Sequence, residues 1–152
     1  MTHSGYVFIL NPLLVALGAV CCNIVIHALV IGVIVRELRR DLQSGRLGSR
    51  YSANLTFVAG ATLMMFAAHL IEIAVWALAF LGCGQFSHFS AAFYHSASSY
   101  TTLGDGALMA PEWRLMDPLE AANGMVMFGV STAVVFAVVQ RLIQTRLGPI
   151  DH

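Results

Sequence analysis

The chain has 152 residues, of which 58% are hydrophobic and 11% are charged, and its formal net charge is zero when histidine is neutral. Its mean hydropathy of +0.76 is far above that of an ordinary soluble domain. A net charge of zero gives no reason to expect a nucleic acid as partner. The composition therefore predicts an all-α membrane protein that is surrounded by lipid.

The first apolar helix is predicted to begin at Asn11 and Pro12, because asparagine caps free helix amides and proline fits the first turn. Residues 12–35 carry no formal charge and can cross a hydrocarbon layer of about 30 Å at about 1.5 Å per residue. Asn23 and His27 are four residues apart and share one helix face. We expect that face to meet protein rather than lipid.

A cluster of arginines follows this stretch. It holds five of the eight basic residues, all of which are arginine: Arg36, Arg39, Arg40, Arg46 and Arg50. By the positive-inside rule the cluster is a cytoplasmic loop, so the amino terminus lies outside. The first helix is expected to continue to Leu42 and to stop at Gly45. Residues 1–50 then form one unit, a transmembrane helix with its arginine-rich loop.

The second apolar stretch, residues 55–83, contains His69 and Glu72 three residues apart on one helix face. Ionisable groups are costly in a membrane and normally face protein, so we expect this pair to form hydrogen bonds within the bundle or to a neighbouring helix. A metal or haem site would need further ligands, and His27 is the only one at a plausible depth.

Residues 90–99 are too few to cross a membrane and too apolar and regular for an exposed loop. They predict a short helix that is buried in protein. Its carbonyl end carries partial negative charge and would face the centre of an assembly, where a cation is stabilised. The short helix and the segment after it are therefore expected to form a re-entrant hairpin between the second and third transmembrane helices.

That segment reads Thr101-Thr102-Leu103-Gly104-Asp105-Gly106. Its glycines permit left-handed dihedral angles, which let successive carbonyl oxygens point the same way. Such a ribbon can line a pore for dehydrated cations, and the Thr102 hydroxyl adds a further oxygen ligand. We predict that these six residues bind the permeant ions.

The third apolar helix is predicted to start at Asp117, with Pro118 in its first turn and Glu120 completing a capping box. It spans residues 119–139 and continues to Arg146. Two arginines near its end, Arg141 and Arg146, place that end in the cytoplasm. Residues 51–147 then form a second unit, and residues 148–152 a short tail.

The hexapeptide and the residues before it resemble the pore helix and selectivity filter of the potassium-channel superfamily, whose usual filter reads Thr-Val-Gly-Tyr-Gly. The resemblance rests on the run Ala92-Phe93-Tyr94-His95-Ser96-Ala97-Ser98-Ser99-Tyr100-Thr101-Thr102-Leu103-Gly104-Asp105-Gly106. It implies that the second apolar stretch is the outer helix and the third the pore-lining inner helix. Residues 69–76 and 113–132 also resemble small bacterial members that carry one additional helix before the pore domain.

Three residues depart from the usual pattern. Asp105 stands where the family has tyrosine, Ala107 replaces the aspartate after the second glycine, and Ser98 stands where many members place a carboxylate behind the filter. The usual tyrosine braces the filter against aromatic residues of the pore helix, which a short carboxylate cannot do. Asp105 can instead accept hydrogen bonds from nearby backbone amides. The closest filter by residue is Thr-Val-Gly-Asp-Gly, that of the NaK-type channels, which pass Na⁺ and K⁺ alike.

The resemblance implies a homotetramer in a bacterial plasma membrane, because one pore segment per chain cannot enclose an ion. It places monovalent cations at Thr102, Leu103 and Gly104, with filter support from Tyr94 and Ser98. Gly124 and Gly129 correspond to candidate gating hinges. An alternative reading of both glycines is that they only permit close helix packing.

We therefore expect a cation channel, not an enzyme, which conducts Na⁺ and K⁺ with weak selectivity and needs no cofactor beyond the permeant ions. One alternative is a K⁺-selective channel that tolerates Asp105. Another is a membrane scaffold or redox subunit, in which His27, His69 and Glu72 hold a cofactor and the Gly-Asp-Gly segment is only a turn.

Overall fold

The computed structural model describes residues 3–48, 50–107 and 109–147, and side chains within 9–48, 50–107 and 109–145. Over these ranges the chain forms four helices and no strand: α1 (His3–Gln43), α2 (Tyr51–Gly82), α3 (Phe89–Tyr100) and α4 (Met116–Leu147). The prediction of an all-α chain is confirmed. The predicted tail, residues 148–152, lies outside the described residues.

Three of these helices are long and apolar enough to cross a membrane, which suggests a membrane protein. The candidate spans are Ile9–Gln43, Tyr51–Gly82 and Met116–Thr145, with mean hydropathies of 2.5, 2.0 and 1.9 in their most apolar windows. The three predicted apolar helices are therefore confirmed as elements. α3 has 12 residues and is too short to cross a bilayer at about 1.5 Å per residue.

The start of α1 differs from the prediction. The helix begins at His3 rather than at Asn11, and Pro12 lies inside it. Proline removes one backbone donor, but helices packed in a membrane tolerate it because neighbouring helices compensate. Pro12 is fully buried. The prediction was wrong because the apolar residues before Asn11 extend the helical run, and this outweighs the local capping signal.

The interior consists of two apolar clusters with a polar layer between them. One cluster contains Ala16, Ala19, Ile73, Trp76, Phe80, Tyr100, Met109, Met116 and Met127. The other contains Ile34, Leu38, Leu47, Ala61, Met65, Val138 and Leu142. Each cluster collects residues from all three long helices, because α2 runs antiparallel to α1 and α4. The buried polar residues between the clusters include Asn23, His27, His69, Glu72 and Ser131.

The short helix α3 packs between α2 and α4. At the end of the bundle away from α3, the carboxyl-terminal ends of α1 and α4 lie side by side. There Arg39 and Arg141 line one pocket, and Leu38 and Leu142 share the second apolar cluster. The arginines of α1 and α4 therefore gather at one end of the bundle, as predicted.

A close contact between α3 and α4 requires a glycine at position 124. A Cβ atom placed there would lie 2.1 Å from the carbonyl oxygen of Tyr100, which is far inside van der Waals contact. At Gly129 a Cβ atom would meet no described atom within 4 Å. Gly124 therefore has a packing role, whereas packing gives no reason for a glycine at position 129.

We expect Gly124→Ala to destabilise the protein, because the new methyl group overlaps the Tyr100 carbonyl and overpacking costs about 1–3 kcal/mol. Gly129→Ala is the matched control on the same helix. Alanine is favoured over glycine in a helix by about 1 kcal/mol, so this variant should be neutral or stabilising. Thermal unfolding of the two variants in one detergent measures the difference, and an equal loss in both would contradict the role assigned to Gly124.

Candidate functional site

Residues 101–106, hereafter the 101–106 loop, leave α3 with their amide groups turned back toward the helix. The amides of residues 101–104 all donate to carbonyl oxygens in the last turn of α3. Leu103 and Gly104 share the carbonyl of Ser98, at 2.9 and 3.0 Å. These bonds occupy carbonyl groups that the end of a helix otherwise leaves free, and they fix the direction in which the loop departs.

The backbone of the loop alternates in conformation. The angle φ is positive at Thr102 (62°), Gly104 (70°) and Gly106 (72°) and negative at Leu103 and Asp105 between them. Alternation between right- and left-handed residues can turn successive amides toward one side, and the amides of residues 101–104 do point back to α3. No described residue donates a hydrogen bond to a carbonyl oxygen of this loop. The amides of its first four residues thus bind protein, while its carbonyl oxygens have no partner within the described chain.

Thr102 is the only described residue other than glycine with a positive φ. A left-handed conformation costs a residue with a Cβ atom about 1–3 kcal/mol and persists only where the surroundings enforce it. Backbone strain of this kind concentrates at functional sites. Its occurrence inside the loop marks the loop as the first candidate functional site.

Asp105 is held by hydrogen bonds from a buried histidine of α3. Both carboxylate oxygens lie 3.0 Å from Nδ1 of His95, whose Nε2 lies 2.8 Å from Asp117 at the start of α4. The amide of Ala107 also donates to Asp105 at 3.0 Å, a backbone contact of the kind that the sequence predicted. Carboxylates only accept hydrogen bonds, so both nitrogens of His95 must carry hydrogens. His95 is therefore an imidazolium between two carboxylates.

The surroundings of His95 support this charged state. Burial alone lowers the pKa of the imidazole, but the hydrogen bonds to Asp117 and Asp105 outweigh burial and raise the pKa above its ordinary value of 6.5. For Asp105, partial burial raises the pKa, and the bonds from Ala107 and His95 outweigh it, so the pKa is lowered from 3.8. The ring centroids of Phe80 and Phe86 lie 4.9 and 4.8 Å from that of the imidazole, which packs between them.

The two residues predicted to support the filter behave differently. The side chain of Tyr94 is exposed on the single chain and makes no hydrogen bond to a described residue of the loop. Ser98 is buried and supports the loop through its carbonyl oxygen. His95 was missed, although it is the single histidine of α3 and its position in a short buried helix could have marked it.

Glu120 does not complete the predicted capping box, because its carboxyl group turns toward α3. It is fully buried and contacts Oγ of Ser96, which also lies 2.8 Å from the carbonyl oxygen of Ile73. One hydroxyl hydrogen cannot serve two acceptors, so a protonated Glu120 must donate to Ser96 while Ser96 donates to Ile73. The other carboxyl oxygen has no partner among the described residues, which also favours a neutral acid.

A second polar cluster lies at the middle of the bundle and joins all four helices. It consists of His27 from α1, His69 and Glu72 from α2, Tyr100 from α3 and Ser131 from α4, and we call it the buried ring. His27 Nδ1 lies 2.7 Å from Glu72, and the Tyr100 hydroxyl contacts Glu72. The same hydroxyl lies 3.1 Å from His69 Nδ1, and Ser131 Oγ lies 2.9 and 3.1 Å from Nε2 of His69 and His27.

A sixth contact joins His69 Nδ1 to Glu72 at 3.3 Å. The Tyr100 hydroxyl donates to the Glu72 carboxylate, which also accepts from Nδ1 of both histidines. The one hydroxyl hydrogen of Ser131 serves Nε2 of one histidine, so the other histidine donates to Ser131 and is an imidazolium. The ring then holds five protons, and its imidazolium balances its carboxylate. The buried ring therefore has no net charge, as expected for a cluster surrounded by apolar helices.

The sequence predicted part of this cluster. His69 and Glu72 were expected to hydrogen-bond within the bundle, and they do. His27 was expected to face protein together with Asn23 and was named with His69 and Glu72 only in the cofactor alternative, and the structure brings it into contact with both. Tyr100 and Ser131 were not singled out, because a lone hydroxyl in an apolar helix carries no signal of its own.

The buried amide of Asn23 links three helices beside the ring. With its side-chain oxygen facing the two nearby donors, it accepts from Asn123 Nδ2 at 2.6 Å and from Trp76 Nε1 at 3.1 Å, and its nitrogen donates to the Ala19 carbonyl. The face shared by Asn23 and His27 thus meets protein, as predicted.

Comparison of the chain with protein-family models, curated proteins and solved structures finds no match in any of the three.

We expect His95→Phe to loosen the 101–106 loop, because phenylalanine keeps the ring between Phe80 and Phe86 but cannot hold Asp105 or Asp117. Amide hydrogen exchange across residues 101–107 should become faster in this variant. His88→Phe is the matched control, since His88 is exposed at the other end of α3. Unchanged exchange in His95→Phe would show that the histidine does not restrain the loop.

The same contact predicts a pH dependence of loop protection, corrected for intrinsic exchange. The raised pKa of His95 means that its contribution is complete below pH 6.5 and lost as pH rises through the folded-state pKa. The lowered pKa of Asp105 means that its contribution is complete above pH 3.8 and lost as pH falls through the folded-state pKa. Protection should therefore be greatest between pH 3.8 and 6.5. Asp105→Asn should remove the loss of protection at low pH, and a low-pH loss that survives in this variant would contradict the role assigned to Asp105.

Proposed function

We propose that four copies of the chain form a cation channel whose 101–106 loops meet on a central axis and conduct Na⁺ and K⁺ with weak selectivity. The proposal rests on one observation, the conformation and hydrogen bonding of the loop backbone. Its φ angles alternate in sign, and no described residue donates to its carbonyl oxygens. Oxygens that face away from their own chain can replace the water shell of a monovalent cation.

The position of α3 supports a re-entrant arrangement. The helix is too short to span a bilayer and is packed between two helices that are long enough to do so. Its carbonyl end carries partial negative charge and lies immediately before the loop. Irregular backbone at membrane depth requires protein or water around it, and a water-filled axis between four chains meets that requirement.

The exposure of the long helices supports assembly. Only 17% of the most apolar window of α4 is buried within the chain, compared with 22% for α1 and 44% for α2. The outward residues of α4 include Met125, Val126 and Phe136. An inner helix that contacts neighbouring copies and lines a pore would cover this surface. One loop per chain cannot surround an ion, whereas four related by rotation can.

The contacts of Asp105 bear on selectivity. Its carboxylate turns back to His95 and to the Ala107 amide, so the ion ligands would be backbone carbonyl oxygens and the Thr102 hydroxyl rather than this side chain. The carboxylate fills less space than the tyrosine of the usual filter and leaves room for water above Gly104. A site with fewer stacked carbonyl groups distinguishes Na⁺ from K⁺ weakly.

The proposal includes an orientation. The arginines of α1 and α4, which gather at one end of the bundle, mark the cytoplasmic side of a bacterial plasma membrane. The amino terminus is then outside and the carboxyl terminus inside.

We expect purified protein in a planar bilayer to show a bi-ionic Na⁺/K⁺ reversal potential close to zero. Asp105→Tyr should shift this potential toward K⁺ preference, because an aromatic ring restores the usual filter residue. A tenfold change in permeability ratio corresponds to about 59 mV for a monovalent ion. Asp105→Asn is the control, since it removes the charge without adding a ring and should not confer K⁺ preference.

The same experiment separates the alternatives. A strong K⁺ preference in the unaltered protein would favour the K⁺-selective channel. A monomer or dimer without conductance would reject the channel altogether, and an absorbance band of a bound cofactor would then favour a membrane subunit that uses His27, His69 and Glu72. A subunit count of four in detergent is the accompanying measurement.

A further inference from the structure

We propose that His27, His69 and Glu72 form a binding site for a divalent transition-metal ion such as Zn²⁺. Their ligand atoms, one from each residue, all lie within 4.8 Å of one another, and all three residues are buried. Imidazole nitrogen and carboxylate oxygen are the ligands that zinc takes in proteins. The inference does not depend on whether the 101–106 loop conducts ions.

The geometry permits coordination with small movements. Nδ1 of His27 lies 2.7 Å and Nδ1 of His69 lies 3.3 Å from the two carboxyl oxygens of Glu72. Ligand bonds of about 2.0–2.2 Å in a tetrahedral site place neighbouring ligand atoms slightly more than 3 Å apart. The two histidine–carboxylate separations are thus already close to this spacing, whereas the ligand atoms of the two histidines, which lie within 4.8 Å of each other, would approach by up to about 1.5 Å. The hydrogen bonds that now join the three side chains would be replaced by bonds to the metal.

Tyr100 and Ser131 complete the site in different ways. The Tyr100 hydroxyl touches Glu72 and lies 3.1 Å from His69 Nδ1, so its oxygen is the available fourth ligand. Ser131 Oγ lies within 3.1 Å of Nε2 of both histidines. When both histidines bind through Nδ1, both Nε2 atoms carry hydrogens, and the two lone pairs of Ser131 can accept them. Such an outer hydrogen bond orients a histidine ligand and fixes its tautomer.

A count of protons shows how the charge of a divalent ion can be balanced in an apolar interior. The metal-free ring holds five protons and has no net charge. With Zn²⁺ bound by two neutral histidines, the Glu72 carboxylate and the Tyr100 phenolate, the ring keeps three protons and again has no net charge. Binding therefore exchanges two protons for one divalent ion without leaving a buried charge uncompensated. A monovalent ion at the same ligands could not achieve this balance by releasing two protons.

A pocket adjoins the site. A pocket of about 480 Å³ between α2 and α4 is lined by His69 and Ser131 together with apolar residues such as Phe66 and Phe128. A bound ion would join all four helices directly or through Ser131. Because Tyr100 directly precedes the 101–106 loop, the ion would also fix the base of that loop.

The test is titration of chelator-treated, unaltered protein in detergent with Co²⁺ and with Zn²⁺. We expect one ion per chain, a visible Co²⁺ spectrum typical of tetrahedral coordination, and an X-ray absorption signature of two imidazoles around Zn²⁺. Failure of these signals while conductance persists would reject the metal site and leave the channel proposal intact.

Substitutions of single residues test which side chains bind the ion. Ser131→Ala should weaken binding about 10–100-fold, as loss of a hydrogen bond to a ligand does, and His69→Ala should abolish the tetrahedral spectrum. The triple variant His3→Ala, His88→Ala, His152→Ala should leave it unchanged. Loss of binding in the triple variant would reveal adventitious surface coordination and overturn the proposal. If His69→Ala does not fold, Ser131→Ala and the X-ray absorption of the unaltered protein still decide the question.

Discussion

A buried polar group must find a partner, and in this chain that requirement fixes how the helices sit against one another. Apolar side chains attract without direction, so helices covered mainly by aliphatic residues can slide or rotate past each other at little cost. The buried ring removes that freedom. It takes His27 from α1, Glu72 from α2, Tyr100 from α3 and Ser131 from α4, and no one of these helices can shift by a turn without leaving a polar atom unpaired inside the bundle.

Tyr100 carries this constraint to the 101–106 loop. Its hydroxyl belongs to the ring, its carbonyl oxygen rests against Gly124, and the next residue begins the loop. At the far side of the loop, Asp105 is held by His95, which Asp117 in turn fixes to α4. The loop is thus anchored at its base and near its end by buried polar contacts. Two such anchors explain how Thr102 can remain in a left-handed conformation that a loosely held loop would relax.

The sequence predicted the elements well and the contacts between them poorly, and the reason is physical. Long apolar stretches have one outcome, a membrane-length helix, and an ionisable pair such as His69 and Glu72 inside one must turn toward protein. The partner of that pair depends on the register between helices. His27 is 45 residues from Glu72 in the chain, and no local rule brings them together.

At the start of α4, contacts with α3 replace the capping box that the local sequence predicts. Glu120 has the spacing for a capping box with Asp117, yet it turns to Ser96. Asp117 contacts His95 from α3.

The charges of the two polar clusters differ in a way that matches their exposure. The buried ring lies inside the bundle and pairs one carboxylate with one imidazolium, so it has no net charge. The cluster around His95 contains one imidazolium and two carboxylates, and its two aspartates, unlike the histidine, are partly accessible to solvent. It therefore carries an excess negative charge beside a loop whose carbonyl oxygens have no donor within the described chain. Partial negative charge on the carbonyl groups and net negative charge behind them act in the same direction, and a cation is the species that would balance both.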